Sequence, residues 1–169
     1  MAHADPAGDQ PGTALALDAT FTIAGPSGRR TVPASEFFVD YFTTAVGPDE
    51  VLVSVSFPKY TGWGSDYQKL NRTAQAWAIV GVAATVRMDA GSIAEARIGL
   101  TNMGPSPVRA SAVEAALVGA STLDAIAAAA EAAAEGTSPN SDIHAEAEFR
   151  EHLARVLTKR AVAAAAGIS

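Results

Sequence analysis

A regular alternation of apolar residues between positions 78 and 100 constrains the fold more than any other feature of this sequence. Every second residue is apolar up to the turn-forming run Asp89-Ala90-Gly91-Ser92, and the alternation resumes after it. A period of two is typical of a β-strand with one buried face. The pattern therefore predicts a β-hairpin, which joins the stretch from Tyr67 in a three-stranded antiparallel sheet. Its predicted inward residues are Ala78, Val80, Val82, Ala84, Val86, Met88, Ala94, Ala96, Ile98 and Leu100.

The opposite face of the same hairpin starts apolar and becomes polar along its length. Trp77 and Ile79 lead into the small residues Gly81 and Ala83, and charged residues follow. A sheet face with this gradient is covered over only part of its area. We therefore expect another part of the protein to lie over the Trp77 end of the sheet.

Three helices are predicted to follow the sheet, because capping residues and glycine stops bracket three further apolar-rich stretches. The last helix is amphipathic, with Phe149, Leu153 and Leu157 on its apolar stripe. Glu146 and Arg150 have ion-pair spacing on its solvated face. The order β-β-β-α-α-α is an α+β arrangement. The predicted helices span 106–119, 121–136 and 143–165.

The sequence before this sheet predicts a smaller group of short strands and helices. Asp9, followed by Gln-Pro, has the residue type of a helix N-cap. A glycine-containing segment at 59–65 is the linker candidate. We therefore divide the chain into two domains, 1–61 and 62–169. The predicted elements of the first domain are a helix at 14–17, strands at 18–24, 29–32 and 50–57, and a brief helix capped by Ser35.

Composition excludes several classes of function. The 169 residues carry a net charge of −6 with scattered basic residues, which argues against a nucleic-acid partner. The absence of cysteine excludes a disulfide, a thiolate metal site or an iron–sulfur cluster within these residues. No stretch reaches the ~20 apolar residues of a membrane span, and no secretory signal opens the sequence. A cytoplasmic protein is therefore expected.

Possible catalytic motifs have simpler explanations. The histidines His3, His144 and His152 lack the i, i+4 spacing of a helical zinc site. His144 could be a catalytic base and Asp142 the carboxylate that orients it, but no serine in a G-x-S-x-G context accompanies them. Capping of the helix start by Asp142 is therefore favoured. The stretch 62–67 begins like a dinucleotide fingerprint, yet it lacks the third glycine and is interpreted as linker.

Five blocks in a fixed order carry a resemblance that covers almost the whole chain from Ala2. They are AHADPAGDQP, VLVSVSFP, YQKLNRTAQAWAIVGVAATV, IGLTNMGPSPVRASAVEAAL and SDIHAEAEFREHLARVLTKRA. This series resembles the FAD-binding medium subunit of the molybdenum hydroxylases, the family of carbon monoxide dehydrogenase medium chains and xanthine dehydrogenase FAD subunits. The resemblance implies a PCMH-type, FAD-binding α+β domain followed by a small domain of three strands and a helical layer.

The resemblance also implies a cofactor and two partner chains. In this family FAD receives electrons from iron–sulfur clusters of a small subunit, which a large subunit reduces through its molybdopterin cofactor, and passes them to an external acceptor. Two glycine loops, AGGxS and TxGG, hold the FAD upstream of the AHADP block, and neither occurs in these 169 residues. Residues 1–61 are therefore expected to be the C-terminal part of an FAD-binding domain. The alternative is a flavin-free domain that serves only in assembly.

Four residues match positions close to the cofactor in that family. Asp9 matches an aspartate that contacts the cofactor, with a plain N-cap as the alternative. Leu52 matches a strand residue packed near the flavin, or is ordinary core. Lys69 matches a lysine beside the isoalloxazine ring, with a shift onto Gln68 or a solvated strand residue as alternatives. Trp77 matches a bulky residue against the flavin ring, or is a core residue.

Overall fold

The computed structural model describes residues 1–169, and its first part, residues 1–57, forms a unit around a small antiparallel sheet. In this first unit β1 pairs with β2 on one side and with β5 on the other, while β3 and β4 form a separate two-stranded ladder. The strands predicted at 18–24 and 29–32 are confirmed, and a hairpin turn at Gly25-Pro26-Ser27-Gly28 joins them. The elements are α1 (Asp9–Ala16), β1 (Thr20–Gly25), β2 (Gly28–Pro33), α2 (Ala34–Phe37), β3 (Phe38–Asp40), β4 (Thr43–Thr44) and β5 (Val51–Ser56).

Three phenylalanines form the centre of the first unit's core. The rings of Phe21 and Phe37 stack with centroids 3.8 Å apart, and Phe38 meets both edge-on. At the edge strand β5, the predicted alternation breaks at Val53, because the register with β1 shifts there and Val53 is left out of the pairing. Leu52 faces the core, and Val53 is exposed.

The second unit, residues 64–169, is a four-stranded antiparallel sheet with helices on one face. The predicted three strands are confirmed, and a short fourth strand extends the sheet to the order β6-β7-β8-β9. The α+β class is therefore confirmed. The elements are β6 (Gly64–Leu70), β7 (Val80–Asp89), β8 (Ser92–Thr101), β9 (Val108–Arg109), α3 (Ser111–Leu117), α4 (Leu123–Ala130), a 3-10 turn (Glu131–Ala134) and α5 (Ala147–Ala166).

The predicted Ser35 cap is wrong, because α2 begins at Ala34 with Pro33 at its N-cap. In the second unit two predicted helix starts are also wrong, and local hydrogen bonding explains both. The helix predicted from position 106 begins at Ser111, because Val108 first pairs with Leu100 as part of β9. The helix predicted from position 143 begins at Ala147, because the Asp142 carboxylate accepts hydrogen bonds from two following backbone N–H groups and folds 142–145 into a turn. The helix predicted from position 121 is α4, and the Thr122 hydroxyl caps it by accepting a hydrogen bond from the Ala125 N–H.

The alternating residues of β7 and β8 meet the helices in one core, as predicted. A register shift near the hairpin turn brings Ile93 into this core instead of Ala94. On α5, Leu153 and Leu157 face inward as predicted, but Phe149 is 48% exposed. Arg150, predicted on the solvated face, is only 2% exposed, because its guanidinium donates to the Ile79 carbonyl and pairs with Asp142.

The first unit covers the other face of the larger sheet through α1. A Cβ atom added to Gly99 would lie 3.0 Å from the Gly12 carbonyl carbon and closer still to its oxygen, so the helix backbone rests directly on β8. This close approach requires glycine at both positions. The expectation that something covers the Trp77 end is wrong for these residues, because α1 lies over the middle of the sheet and Trp77 remains 66% exposed.

Ion pairs and the linker reinforce the junction of the two units. Asp18, just after α1, lies 2.7 Å from an Arg109 nitrogen and 2.9 Å from an Arg97 nitrogen. In the predicted linker, Trp63 has the guanidinium groups of Arg87 and Arg97 within 5.9 and 5.7 Å of its ring. The linker is thus packed against the second unit, and its last two predicted residues belong to β6. The domain boundary at 61/62 stays a prediction.

Candidate functional site

The structure brings two of the four predicted site residues, Asp9 and Lys69, into direct contact. Asp9 lies in the first turn of α1, and the N-cap is Gly8, so the predicted capping role of Asp9 is wrong. Its side chain instead crosses to the second unit. One carboxylate oxygen lies 2.8 Å from Lys69 Nζ, and the other accepts a 2.9 Å hydrogen bond from the Tyr67 hydroxyl.

The strand β6 explains why Tyr67 and Lys69 reach the same carboxylate. Residues two apart in a strand share a face, and this face is the one that α1 covers. The Tyr67 hydroxyl fits there because it lies over Gly81 of β7, where a Cβ would collide with it. Burial, reinforced by the Asp9 carboxylate, raises the pKa of Tyr67, so the phenol stays a neutral hydrogen-bond donor.

Tyr67 was missed as a site residue by the sequence analysis, which used it only to mark the start of the sheet. A signal was available, since Tyr67 is two residues before Lys69 on a predicted strand and therefore shares its face. The sequence could not show that α1, about sixty residues earlier, supplies the carboxylate that joins them.

Trp77 lies beside this cluster on the segment that leads into β7. Lys69 Nζ donates to the carbonyl of Ala76 at 3.3 Å, so the lysine holds the backbone next to the tryptophan. The exposed indole borders a cavity of about 600 Å³. Asp9 and Lys69 are not part of its lining and lie behind the Ala76 backbone. The principal lining side chains are Asp5, Arg72, Trp77, Ile79, Asn102 and His144.

Leu52 lies apart from the other three predicted site residues. It is on β5, partly buried, and packs against the phenylalanine core of the first unit. It does not line the cavity beside Trp77. The structure therefore joins Asp9, Lys69 and Trp77 in one place and leaves Leu52 in the first unit's core.

The remaining candidates show no catalytic arrangement. Asp142 accepts hydrogen bonds from the backbone of His144 and Ala145, which is the capping type of role favoured from the sequence. The His144 ring meets Arg72, at 3.4 Å, rather than Asp142. No group of three or more His, Cys, Asp or Glu side chains is placed to hold a metal ion. None of the helices is both long and apolar enough to cross a membrane.

The junction has the chemistry of a binding site for a flat ring with polar edges. Trp77 presents an exposed aromatic face, and aromatic rings stack favourably with a gain of about 0.5–1.5 kcal/mol beyond burial. Lys69, paired with Asp9, contacts the backbone of the preceding residue, Ala76. No nucleophile is paired with a base, so the arrangement suits holding a ligand rather than acid–base chemistry.

Two family models together cover nearly all of this chain. The FAD binding domain in molybdopterin dehydrogenase matches residues 1–60, and the CO dehydrogenase flavoprotein C-terminal domain matches residues 65–165. The chain therefore belongs to the flavoprotein family of the CO dehydrogenase and xanthine dehydrogenase type. The resemblance drawn from the five sequence blocks is confirmed.

Curated relatives and solved structures agree with this assignment. The carbon monoxide dehydrogenase medium chain of Hydrogenophaga pseudoflava is 37% identical over 98% of this chain. A subunit alpha of the 6-hydroxypseudooxynicotine dehydrogenase complex of Paenarthrobacter nicotinovorans is 35% identical over 98%. Both matches span 57–58% of the relative's length.

Among solved structures, carbon monoxide dehydrogenase from Hydrogenophaga pseudoflava superimposes with a TM-score of 0.92 at 40% identity. That match covers 97% of this chain and 58% of the solved chain. Quinoline 2-oxidoreductase from Pseudomonas putida 86 gives a TM-score of 0.91 at 34% identity. This match covers 98% of the present chain and 58% of the solved chain.

Proposed function

We propose that this chain forms part of the FAD-binding subunit of a molybdenum hydroxylase, which passes electrons from iron–sulfur clusters of a partner, through FAD, to an external acceptor. The observation that carries the proposal is the junction where Asp9, Lys69 and the Trp77 segment meet in one chain of contacts. These residues come from both units, so the site exists only when the units are joined. Similarity to medium chains over nearly the whole chain supports the same function.

The residues at the junction fit a flavin. Its isoalloxazine ring is flat and aromatic and has polar atoms along its edge. The exposed Trp77 indole offers a flat apolar surface beside a cavity of about 600 Å³, and Arg72, Asn102 and His144 on its lining offer polar contacts. A mostly apolar recess with a few placed polar groups is typical of cofactor sites.

Bound FAD supplies the redox chemistry, and the protein supplies position and electrostatics. In our proposal Trp77 packs against the ring and shields one face from water. Lys69, fixed by Asp9 at 2.8 Å, would hold the Ala76 backbone and thereby the position of Trp77 beside the ring. Asp9 also orients the lysine. Leu52, in the first unit's core, would act indirectly, by stabilising the unit that carries Asp9.

The proposed partners are an iron–sulfur small subunit and a molybdopterin-containing large subunit. Relatives named as medium chains or as a subunit of a dehydrogenase complex support an assembly of several chains. A cytoplasmic location is part of the same proposal. We expect co-expression with the genes of both partners to give a complex that elutes as one species in size-exclusion chromatography. Recovery of only the free chain would contradict the partner assignment.

FAD binding tests the proposed function directly, and two polypeptides are compared. The 169 residues alone lack both glycine loops, whose backbone N–H groups would contact the pyrophosphate. If the loops supply four charge-assisted hydrogen bonds at about 1.5 kcal/mol each, their absence lowers the affinity by about four orders of magnitude. We therefore expect weak or undetectable binding to this chain and tight binding when both loops precede it.

Trp77→Ala in the loop-containing polypeptide separates a flavin role from a structural one. We expect it to change flavin absorbance or the rate of flavin reduction without lowering the stability of the fold. Val118→Ala is the matched control, because Val118 is equally exposed and lies beside Ile93, at the opposite end of the sheet. A polypeptide with both loops that binds no FAD would refute the proposed function and favour the assembly domain.

A further inference from the structure

We propose that Asn102 positions the Trp77 segment against the N-terminal loop and thereby sets the environment of the flavin. Asn102 lies at the end of β8, on the wall of the 600 Å³ cavity. It touches neither Asp9 nor Lys69, so it acts through the backbone that carries Trp77. The flavin part of this inference rests on the proposed function, whereas the part concerning Trp77 does not.

The backbone of Asn102 anchors the N-terminal loop. Its N–H donates a 2.9 Å hydrogen bond to the carbonyl of Pro6, in the loop that precedes α1. Asn102 has a φ of 62°, in the left-handed region, where asparagine is tolerated far better than most side chains. The chain can therefore turn sharply after β8 and still offer this N–H to the loop.

The side chain of Asn102 anchors the Trp77 segment. Its amide nitrogen donates to the carbonyls of Ala78 at 2.8 Å and Ile79 at 3.2 Å. The buried Arg150 guanidinium donates to the same Ile79 carbonyl. Lys69 binds the carbonyl of Ala76 on the other side of the tryptophan. The backbone before and after Trp77 is thus held by three separate side chains.

These contacts matter because packing does not fix Trp77 itself. With 66% of its surface exposed, the indole depends on the adjacent backbone for its direction. A ring that stacks on a ligand must be placed to within a fraction of an ångström. An asparagine amide provides two N–H donors at a left-handed position, whereas the substitution Asn102→Asp would set a carboxylate against two carbonyl oxygens.

The decisive variant is Asn102→Gly, which keeps the left-handed backbone and removes only the side-chain donors. Ala90→Gly is the matched control. Ala90 is also left-handed, with a φ of 47°, and lies in the hairpin turn at the far end of β7. Both variants are made in a Trp63→Phe background, which leaves Trp77 as the single tryptophan of the two in the chain.

Time-resolved fluorescence anisotropy of Trp77 is measured on the flavin-free 169-residue chain. We expect Asn102→Gly to increase the amplitude of the fast local motion of the indole, and Ala90→Gly to leave it unchanged. In the loop-containing, FAD-loaded polypeptide, Asn102→Gly should also shift the flavin midpoint potential or its absorbance maximum. The Ala90→Gly control should move neither.

The outcomes separate the two claims. Unchanged anisotropy in Asn102→Gly overturns the positioning role, whatever the flavin does. A larger amplitude of the fast indole motion with an unaltered flavin potential and spectrum overturns the link from Asn102 to the flavin. A larger amplitude of the fast indole motion in a protein that binds no FAD at all supports the positioning of Trp77 and counts against the proposed function alone.

Discussion

Gly99→Ala tests whether the glycine contact between α1 and β8 holds the two units together. A Cβ at Gly99 would lie 3.0 Å or less from the Gly12 carbonyl group and 3.1 Å from the Ala16 side chain. Ordinary Cβ contacts lie at 3.4–4 Å, so α1 must move outward along its whole contact. The atoms in the way are helix backbone, which cannot rotate aside as a flexible side chain would.

Overpacking of this kind costs typically about 1–3 kcal/mol. The equilibrium between folded and unfolded chain should therefore shift by roughly 5- to 150-fold. The outward movement of α1 also carries Asp9 away from Lys69, so the loop-containing polypeptide should lose FAD affinity as well. Urea denaturation followed by tryptophan fluorescence measures the first effect, and FAD titration the second.

Gly104→Ala is the matched control, because a Cβ there meets its nearest atom at 3.5 Å and clashes with nothing. It introduces the same methyl group a few residues further along the chain. We expect its unfolding midpoint to stay at that of the unchanged protein. If Gly99→Ala is as stable as Gly104→Ala, then α1 does not rest on β8 in solution, and the geometry assigned to the junction is incorrect.

Two further predictions concern hydrogen bonds to carboxylates. Tyr67→Phe removes the 2.9 Å hydrogen bond to Asp9 and should lower the free energy of unfolding by about 1.5–3 kcal/mol, measured by urea denaturation; no loss would mean that the bond is absent in solution. Hydrogen bonds from Arg30 and then from the Gly47 N–H lower the pKa of Glu50 to about 2. Because the folded-state pKa is depressed, the stabilising contact is complete above the usual value of 4.5 and is lost as the pH falls towards 2. The Gly47 amide signal should titrate in this range in NMR spectra, and Glu50→Gln should abolish that titration.

The sheet of the second unit could be predicted from the sequence because its signal is local. The alternation through Val80, Val82 and Val86 is sufficient to place β7 and to choose its buried face. The α+β class follows from the order of such elements. The register shift that places Ile93 rather than Ala94 in the core was not predictable, because it depends on how two strands pair and not on either strand alone.

The errors on α5 and at the junction have one physical origin, which is pairing between distant segments. Arg150 has the spacing of a surface ion pair with Glu146. Its guanidinium instead donates a hydrogen bond to the Ile79 carbonyl, some seventy residues earlier, and is therefore buried. The contact of Asp9 with Lys69 likewise joins positions sixty apart. For these site residues the resemblance to a family indicated the neighbourhood, whereas the sequence pattern alone did not.

The position of α1 on β8 also sets an order of events during synthesis. Gly12 leaves the ribosome long before Gly99, and at ~5–20 residues per second the interval is roughly 5–20 s. During this time the side of α1 that carries Gly12 and Ala16 has no sheet to cover it. The contact between Asp9 and Lys69 also needs β6, which follows α1 in the chain. A nascent chain therefore acquires this site late, which makes cofactor binding a reporter of completed folding.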